Sequence, residues 1–343
     1  MRSVLVTGGT GTFGKRFVER CMTNNLYDRI VIFSRDEFKQ FNFRKSLISK
    51  FGDEADEKVR FFLGDIRDKE RLKTAFVGID DVVHAAALKH VPLCEYNPSE
   101  AVKTNVYGTQ NVCDVAIECH VENVVVLSTD KAVEPINFYG STKMLAEKYA
   151  IFSNSYSRTN KDNHKKTKIS CVRYGNVVGS RGSIVEAFMG MDPSKPFTIT
   201  DEKMTRFWMH IDDSVNMVLW SLKNMLGGEI VIPKLRSSTV TDIAKSIDKD
   251  REIKIIGIRP GEKIHEQLFS RREHERAYDM GEYFIIVPES ESWMLPGQMQ
   301  EIAEKYKKSD RVSYYSNDSD LVMSLEEVRD NIINRIKNEQ GSK

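Results

Sequence analysis

Short apolar, β-branched runs recur along the chain, each followed by glycine or small polar residues and then by apolar positions at helical spacing. Ser3 to Val6, Arg29 to Phe33, Val59 to Leu63, Asp81 to His84 and Val124 to Leu127 have the length and continuous apolarity of buried strands. Lys15 to Cys21 has helical spacing. Pro98 to His120 reads as a long amphipathic helix interrupted at Asn105-Val106-Tyr107-Gly108-Thr109, and Asp53 to Lys58 as a charged loop. This β-α alternation, at roughly thirty residues per unit, predicts an α/β fold built on a doubly wound parallel sheet.

Ile169 to Tyr174 is one more strand, after which Gly175 to Ser183 turns the chain away and regular alternation fails. A smaller C-terminal lobe is therefore expected. Residues 1–175 form the first domain, rejoined by about 207–235 through a strand at Glu229 to Ile232, and residues 176–343 mainly form a ligand-binding lobe. Arg158 to Lys168 reads as a polar, basic insertion, and Ser324 to Ile336 as a terminal helix. No internal repeat or low-complexity tract interrupts this pattern.

Charge changes the picture by exclusion. With 51 Lys and Arg against 50 Asp and Glu over 343 residues, the chain carries neither the basic footprint of a nucleic-acid binder nor an acidic tail. Cys21, Cys94, Cys113, Cys119 and Cys171 form an odd set without a C-x-x-C pair, which argues against a disulfide framework and a metal site. No apolar segment approaches the ~20 residues that span a bilayer. A soluble, cytoplasmic protein with no membrane partner is expected.

The first strand runs into Thr7-Gly8-Gly9-Thr10-Gly11-Thr12-Phe13-Gly14 and then a helix, the setting of a dinucleotide-binding, Rossmann-type loop. Gly8 permits the tight turn, Gly11 admits the pyrophosphate, and Gly14 lets helix and strand pack closely. At the second strand end stand Ser34, Arg35 and Asp36, with Lys39 in the helix beyond. A guanidinium and a hydroxyl there suit a 2′-phosphate and favour NADP; Asp36 leaves a bare ribose open as the alternative. Asp65 and Ile66 at the third strand end are placed to meet the adenine, and Ala85, Ala86 and Ala87 after the fourth to lie against a nicotinamide ribose. Lys89 and His90 follow, as substrate contacts or as solvated loop charges.

The chemistry concentrates in Val126 to Lys148, VLSTDKAVEPINFYGSTKMLAEK. The strand ends in Ser128-Thr129-Asp130-Lys131, at the edge where open parallel sheets bind ligands. Tyr139 and Lys143, four apart, share one helical face, and an ammonium beside a phenol favours the phenolate. With the 98–120 segment, this helix offers two exposed faces suited to a homo-oligomer.

Through TGGTGTFG, Tyr139-x-x-x-Lys143 and HAAA the chain resembles the extended short-chain dehydrogenase/reductases. SRDEFKQ, FFLGDIRD, HAAALKHVPLCEYNP, LSTDKAVEPINFYGSTK, VRYGNVVGSRGS, MTRFW and IIGIRPGEKIHEQL carry a narrower resemblance, to UDP-N-acetylglucosamine 4,6-dehydratases that invert C5 and begin pseudaminic acid biosynthesis. Residues 271–343 match only loosely. The dTDP-glucose type carries Thr-Asp-Glu where this chain has Thr129-Asp130-Lys131, a departure that points to amino sugars. The resemblance implies that Tyr139, with Lys143 and Thr129, takes the C4 hydroxyl proton, and that Lys131, if its pKa is lowered, removes the C5 proton. Asp130 would protonate the departing C6 hydroxyl, with NADP recycled in each turnover. It also implies Asn176, Arg206 and Arg259 as nucleotide-diphosphate contacts in a dimer or hexamer. A C5-retaining dehydratase, a 4-epimerase and a non-catalytic NADP-sensing protein are the competing readings.

Overall fold

The computed structural model describes residues 2–157, 166–180, 183–294 and 297–341. Most of the polar insertion between Arg158 and Lys168, and Arg181 and Gly182 of the VRYGNVVGSRGS block, lie outside the described residues.

The apolar runs form Ser3–Thr7 (β1), Arg29–Ser34 (β2), Val59–Leu63 (β3), Asp81–His84 (β4), Asn123–Leu127 (β5) and Lys168–Val172 (β6). They lie in the order β3-β2-β1-β4-β5-β6, all parallel, with Ile230–Pro233 parallel beside β6. Every residue of β1, β4 and β5 is buried, as strands covered by helices on both faces require. The order reverses between β1 and β4, so the loops leaving those strands meet. A Cβ on Gly8 (φ +67°) would lie 2.9 Å from the Ala86 Cα, so only glycine fits that approach.

After the chain returns to the sheet at 230–233, the sheet gains three antiparallel strands. These are Tyr283–Ile286, Ala277–Asp279 and Lys307–Lys308, drawn from the stretch assigned to the smaller lobe. That lobe keeps its own apolar core, with Phe188, Phe197, Trp208, Ile243 and Ile332 among its members.

Two local expectations are corrected. Asp53–Lys58 is a helical turn, with acidic residues at its N-terminus and Lys58 Nζ 2.6 Å from Glu54 one turn back. Pro98 to Glu118 is continuous: α-helix to Ala101, a π-helical segment at Val102–Tyr107, then α-helix from Gly108. Gly108 does not break it, having helical angles (φ −61°, ψ −41°). Its missing side chain admits Ile66, whose Cδ1 would lie 2.5 Å from a Cβ there.

Candidate active site

At the β1 end, Thr12–Thr23 forms a helix preceded by Gly11, which brings no capping side chain, and Gly14 packs where a Cβ would meet the Gly9 Cα at 2.5 Å. Thr10, Thr12 and Phe13 lie in this turn, with the Phe13 ring stacked on Phe17 at 6.0 Å. A helix start without a capping side chain, approached closely by backbone, is a fit for a pyrophosphate.

The β2 end separates the residues named for the ribose. Asp36 caps the helix Glu37–Phe51 through the Lys39 N–H (2.9 Å), and its other oxygen pairs with Lys39 Nζ at 2.8 Å. Asp36 and Lys39 thus engage each other. Ser34 is buried, its Oγ accepting from Gln40 Nε2 at 3.0 Å. Arg35 is half exposed, 3.5 Å from Asp65. Burial pushes the Asp65 carboxyl up, but hydrogen bonds from Arg67 and the charge of Arg35 outweigh it and leave the group below its ordinary value. Ile66 turns into the helix against Gly108 rather than standing open beside a ring.

Behind β4, Ala85–Ala87 are followed by Leu88, whose N–H donates to Asn105 Oδ1 (2.8 Å) and whose carbonyl accepts from Asn105 Nδ2 (2.9 Å). The π-helical segment thereby fixes the loop beside the dinucleotide turn. His84 is buried with Nδ1 2.7 Å from Thr7 Oγ1 and Nε2 3.0 Å from Thr109 Oγ1. Burial, then Lys143, holds it down at about 3, so it is neutral.

At the end of β5, Asp130 is fully buried; its Oδ1 accepts from Thr129 Oγ1 (2.9 Å) and Lys131 Nζ (3.0 Å), and its Oδ2 has no partner among the described residues. Lys131 Nζ also lies 3.3 Å from Glu266 Oε1 and 3.5 Å from Asn176 Oδ1. The expectation of a lowered lysine pKa is therefore overturned. Burial disfavours the ammonium, but Asp130 and Glu266 outweigh burial and Arg206, and Lys131 is held above its ordinary value. Burial, reinforced by Glu266, raises Asp130 against the pull of Lys131. For Glu266 burial is overcome by Lys131, Arg206 and Lys263, and it is lowered.

Tyr139 is buried on the helix Phe138–Ser153, which Asn137 caps at the Gly140 N–H (2.7 Å). Gly140 lies against the Lys131 carbonyl, where a Cβ would collide, so tyrosine and lysine are locked together. Burial pushes the Tyr139 phenol up to about 12, against Lys131 and Thr129, which lower it. The pairing read from the four-residue spacing is corrected here: Lys143 donates to the Leu127 carbonyl at 2.6 Å, and the cation acting on Tyr139 is Lys131.

The remaining residues named for the substrate divide. Loss of water and the charge of Lys131 lower the Lys89 ammonium, with Glu186 opposing, which places it toward the same centre. Asn176 is at Lys131. Arg206 is buried and donates to the carbonyls of Thr205, Ile264 and Lys263 at 2.7, 3.1 and 3.0 Å, so it braces the protein instead of facing a ligand. Arg259 is exposed, 3.9 Å from Glu262. Glu266 and Gln40 lie inside the IIGIRPGEKIHEQL and SRDEFKQ blocks, and Asn105 in the expected helix interruption, yet none was named as a site residue, because a block does not show which loop its side chain reaches: Lys131 for Glu266, Leu88 for Asn105, Ser34 and Phe62 for Gln40.

The profile of a family described as "Polysaccharide biosynthesis protein" matches residues 4–288. The chain is 42% identical over 340 residues to the UDP-N-acetylglucosamine 4,6-dehydratase (inverting) of Campylobacter jejuni, covering 97% of each protein. It is 38% identical to a UDP-glucose 4-epimerase of Rickettsia canadensis, over 96% of this chain and 94% of that one. The X-ray structure of Pen from Bacillus thuringiensis superposes with a TM-score of 0.84 at 34% identity, over 97% of this chain and 98% of that one. No helix among the described residues is long and apolar enough to cross a membrane. Matched over most of its length by that profile, the chain belongs to the polysaccharide biosynthesis protein family.

Proposed function

We propose that this protein is a UDP-N-acetylglucosamine 4,6-dehydratase that inverts C5, giving UDP-2-acetamido-2,6-dideoxy-β-L-arabino-hex-4-ulose. The observation that carries the reading is buried Asp130 paired with partly buried Lys131 beside Tyr139, with one carboxylate oxygen left without a partner among the described residues. The likeness to the C. jejuni dehydratase supports it.

NADP is held by the turn Gly8 to Gly14, by Ser34 and Arg35, by Asp65, and by Ala85–Ala87 with Tyr139 and Lys143. When bound, it supplies the acceptor for the C4 hydride and the donor that returns hydride to C6. Tyr139 takes the C4 hydroxyl proton, and Thr129 and the Lys131 ammonium favour its phenolate. The C4 ketone acidifies C5. Lys131 needs to be neutral to take that proton, and Asp130 needs a proton to give to the C6 hydroxyl. Passing one proton along the 3.0 Å Lys131–Asp130 hydrogen bond meets both needs without solvent. The C5–H proton goes to Lys131, the C6–O bond breaks, and water leaves with the proton from Asp130. A solvent proton delivered to the opposite face of C5 completes inversion, and the proton that Tyr139 took from C4 passes to solvent, which returns the site to its starting state. Leu145 and Phe152, exposed on the helix Phe138–Ser153, suit a homo-oligomer, and we place the enzyme in the cytoplasm, feeding glycan, including pseudaminic acid, biosynthesis.

NMR of the product from UDP-N-acetylglucosamine in deuterated water tests this. The expected product is the L-arabino 4-keto sugar with deuterium at C5 and no net change in the reduced-nicotinamide absorbance. A D-xylo product from the earliest times moves the enzyme to the retaining reaction. The Rickettsia relative favours a second reading, 4-epimerisation; a product keeping its C6 hydroxyl would establish it and leave Asp130 without an acid's task.

A further inference from the structure

Glu266 precedes the strand Gln267–Phe269 and lies far in sequence from the β5 end, yet it is buried against it. Its N–H donates to Ser316 Oγ (2.9 Å), Ser316 Oγ lies 2.6 Å from Thr205 Oγ1, and Arg206 bonds the carbonyls just before it, so its backbone is fixed on three sides. Its Oε1 is 3.3 Å from Lys131 Nζ and 3.8 Å from Arg206 Nε, while Oε2 is buried without a hydrogen-bond partner among the described residues. A carboxylate in that state is held for its charge more than for its hydrogen bonds. Lys131 thus spans two carboxylates, Asp130 from its own strand end and Glu266 from the segment leading into Gln267–Phe269.

We propose that Glu266 is a positioning residue, the counter-charge that directs Lys131 and governs when the Asp130–Lys131 pair can pass its proton. The inference rests on the dehydratase reading and adds a member to its proton-transfer centre. The charged groups facing the pair are Glu266 and Lys263 from the segment before Gln267–Phe269, Arg206 from the strand Thr205–His210, Lys89 from the loop after β4, and the Tyr139 phenol. Of these, Glu266 supplies the negative charge. It draws the proton of Lys131 toward its own side, so Asp130 is relieved of serving as sole counter-ion and can hold a proton of its own. Its charge also makes both members of the pair harder to ionise away from their protonated forms. Removing it should move both in one direction, toward lower pH.

The test is the pH profile of C5 deuterium incorporation into the 4-keto product, and of kcat/KM, for the whole enzyme and for Glu266→Gln and Glu266→Asp. The Gln variant keeps the shape and loses the charge; the Asp variant keeps the charge one methylene further back. We expect both profiles to shift toward acid, by at least about one pH unit in Glu266→Gln and by less in Glu266→Asp. If the Gln variant does not hold its cofactor, the Asp variant alone still has to fall below wild type. Profiles that lose amplitude but keep their pH position in both variants overturn the proposal and leave Glu266 a packing residue. Absence of C5 exchange in the wild-type enzyme instead overturns the dehydratase reading, so the two failures are distinct.

Discussion

Two ion clusters meet the Phe138–Ser153 helix, one through Glu147 on it and one at Gly140 near its start, and they are built in opposite ways. In the first, Arg173 uses its whole fork: Nε and Nη2 on Glu147 (3.0 and 2.6 Å), Nη1 and Nη2 on Glu273 (3.1 and 3.0 Å), and Nη1 also on the Leu268 carbonyl (2.9 Å). In the second, Lys131 meets Asp130 and Glu266 by one oxygen each, and both carboxylates keep a buried oxygen without a hydrogen-bond partner among the described residues. The first cluster is saturated and therefore a fastener. The second is left incomplete, and buried polar atoms left unpaired are costly unless a ligand or a moving proton uses them. Saturation, more than burial or charge, separates the structural ion set from the reactive one.

The sharpest way to break that comparison is to delete each cation. Lys131→Ala should cut turnover and C5 exchange by about 10²–10⁴-fold, with cofactor and UDP-sugar binding held within a few-fold of wild type by calorimetry; near-normal turnover would remove Lys131 from the chemistry. Arg173→Met should do the reverse, costing about 3–5 kcal/mol of stability because Glu147 and Glu273 are left buried and unpaired. Denaturant unfolding reads that loss, and a change under 1 kcal/mol, within about the range of an exposed pair, would contradict the fastener role.

The same contrast recurs in miniature on Asp65, which Arg67 grips through Nε and Nη2 (3.0 and 2.7 Å) while half-exposed Arg35 stands 3.5 Å off. Arg35→Ala should weaken NADP by about tenfold, a single charge-assisted contact, and NAD hardly at all. Cofactor released on denaturing the purified protein should be NADP. Recovery of NAD alone, with unchanged NADP affinity in the variant, would return the ribose to the alternative reading.

The smallest effect is in acid. Burial raises Glu273, but Arg173 outweighs it and leaves the carboxyl lowered, so its stabilising share is present above the ordinary glutamate value and lost as pH falls through the lowered one. Asp130 is raised, chiefly by burial, so its ionised form costs stability at neutral pH and that cost fades as pH falls through the raised value. Asp130→Asn should therefore melt slightly higher than wild type at neutral pH, with turnover lost; a lower melting temperature would show that its bond to Lys131 matters more than its burial.

How much of this was legible depends on sequence distance. The strands β1, β2, β4 and β5 announce themselves because a strand buried on both faces has no polar alternation, and Gly8 to Gly14 announces the turn it has to make. Tyr139, Lys131 and Asp130 lie within one short stretch, so one motif could carry them. The raised Lys131 was not legible because its second carboxylate, Glu266, comes from 135 residues away, in a block that the sequence marks as a motif without showing that it reaches the β5 end. The antiparallel strands Ala277–Asp279 and Lys307–Lys308 were missed for a related reason: two or three residues give no periodicity, and only the sheet edge beside them makes them strands.

Gly140 carries one more consequence, for anyone who would transplant this chemistry. Copying the acid, the lysine and the tyrosine into another scaffold transfers the functional groups but not the spacing between them, which depends on a helix start that can rest directly on the Lys131 carbonyl. A portable version of the centre has to include that bare backbone position, whose contribution is the side chain it lacks.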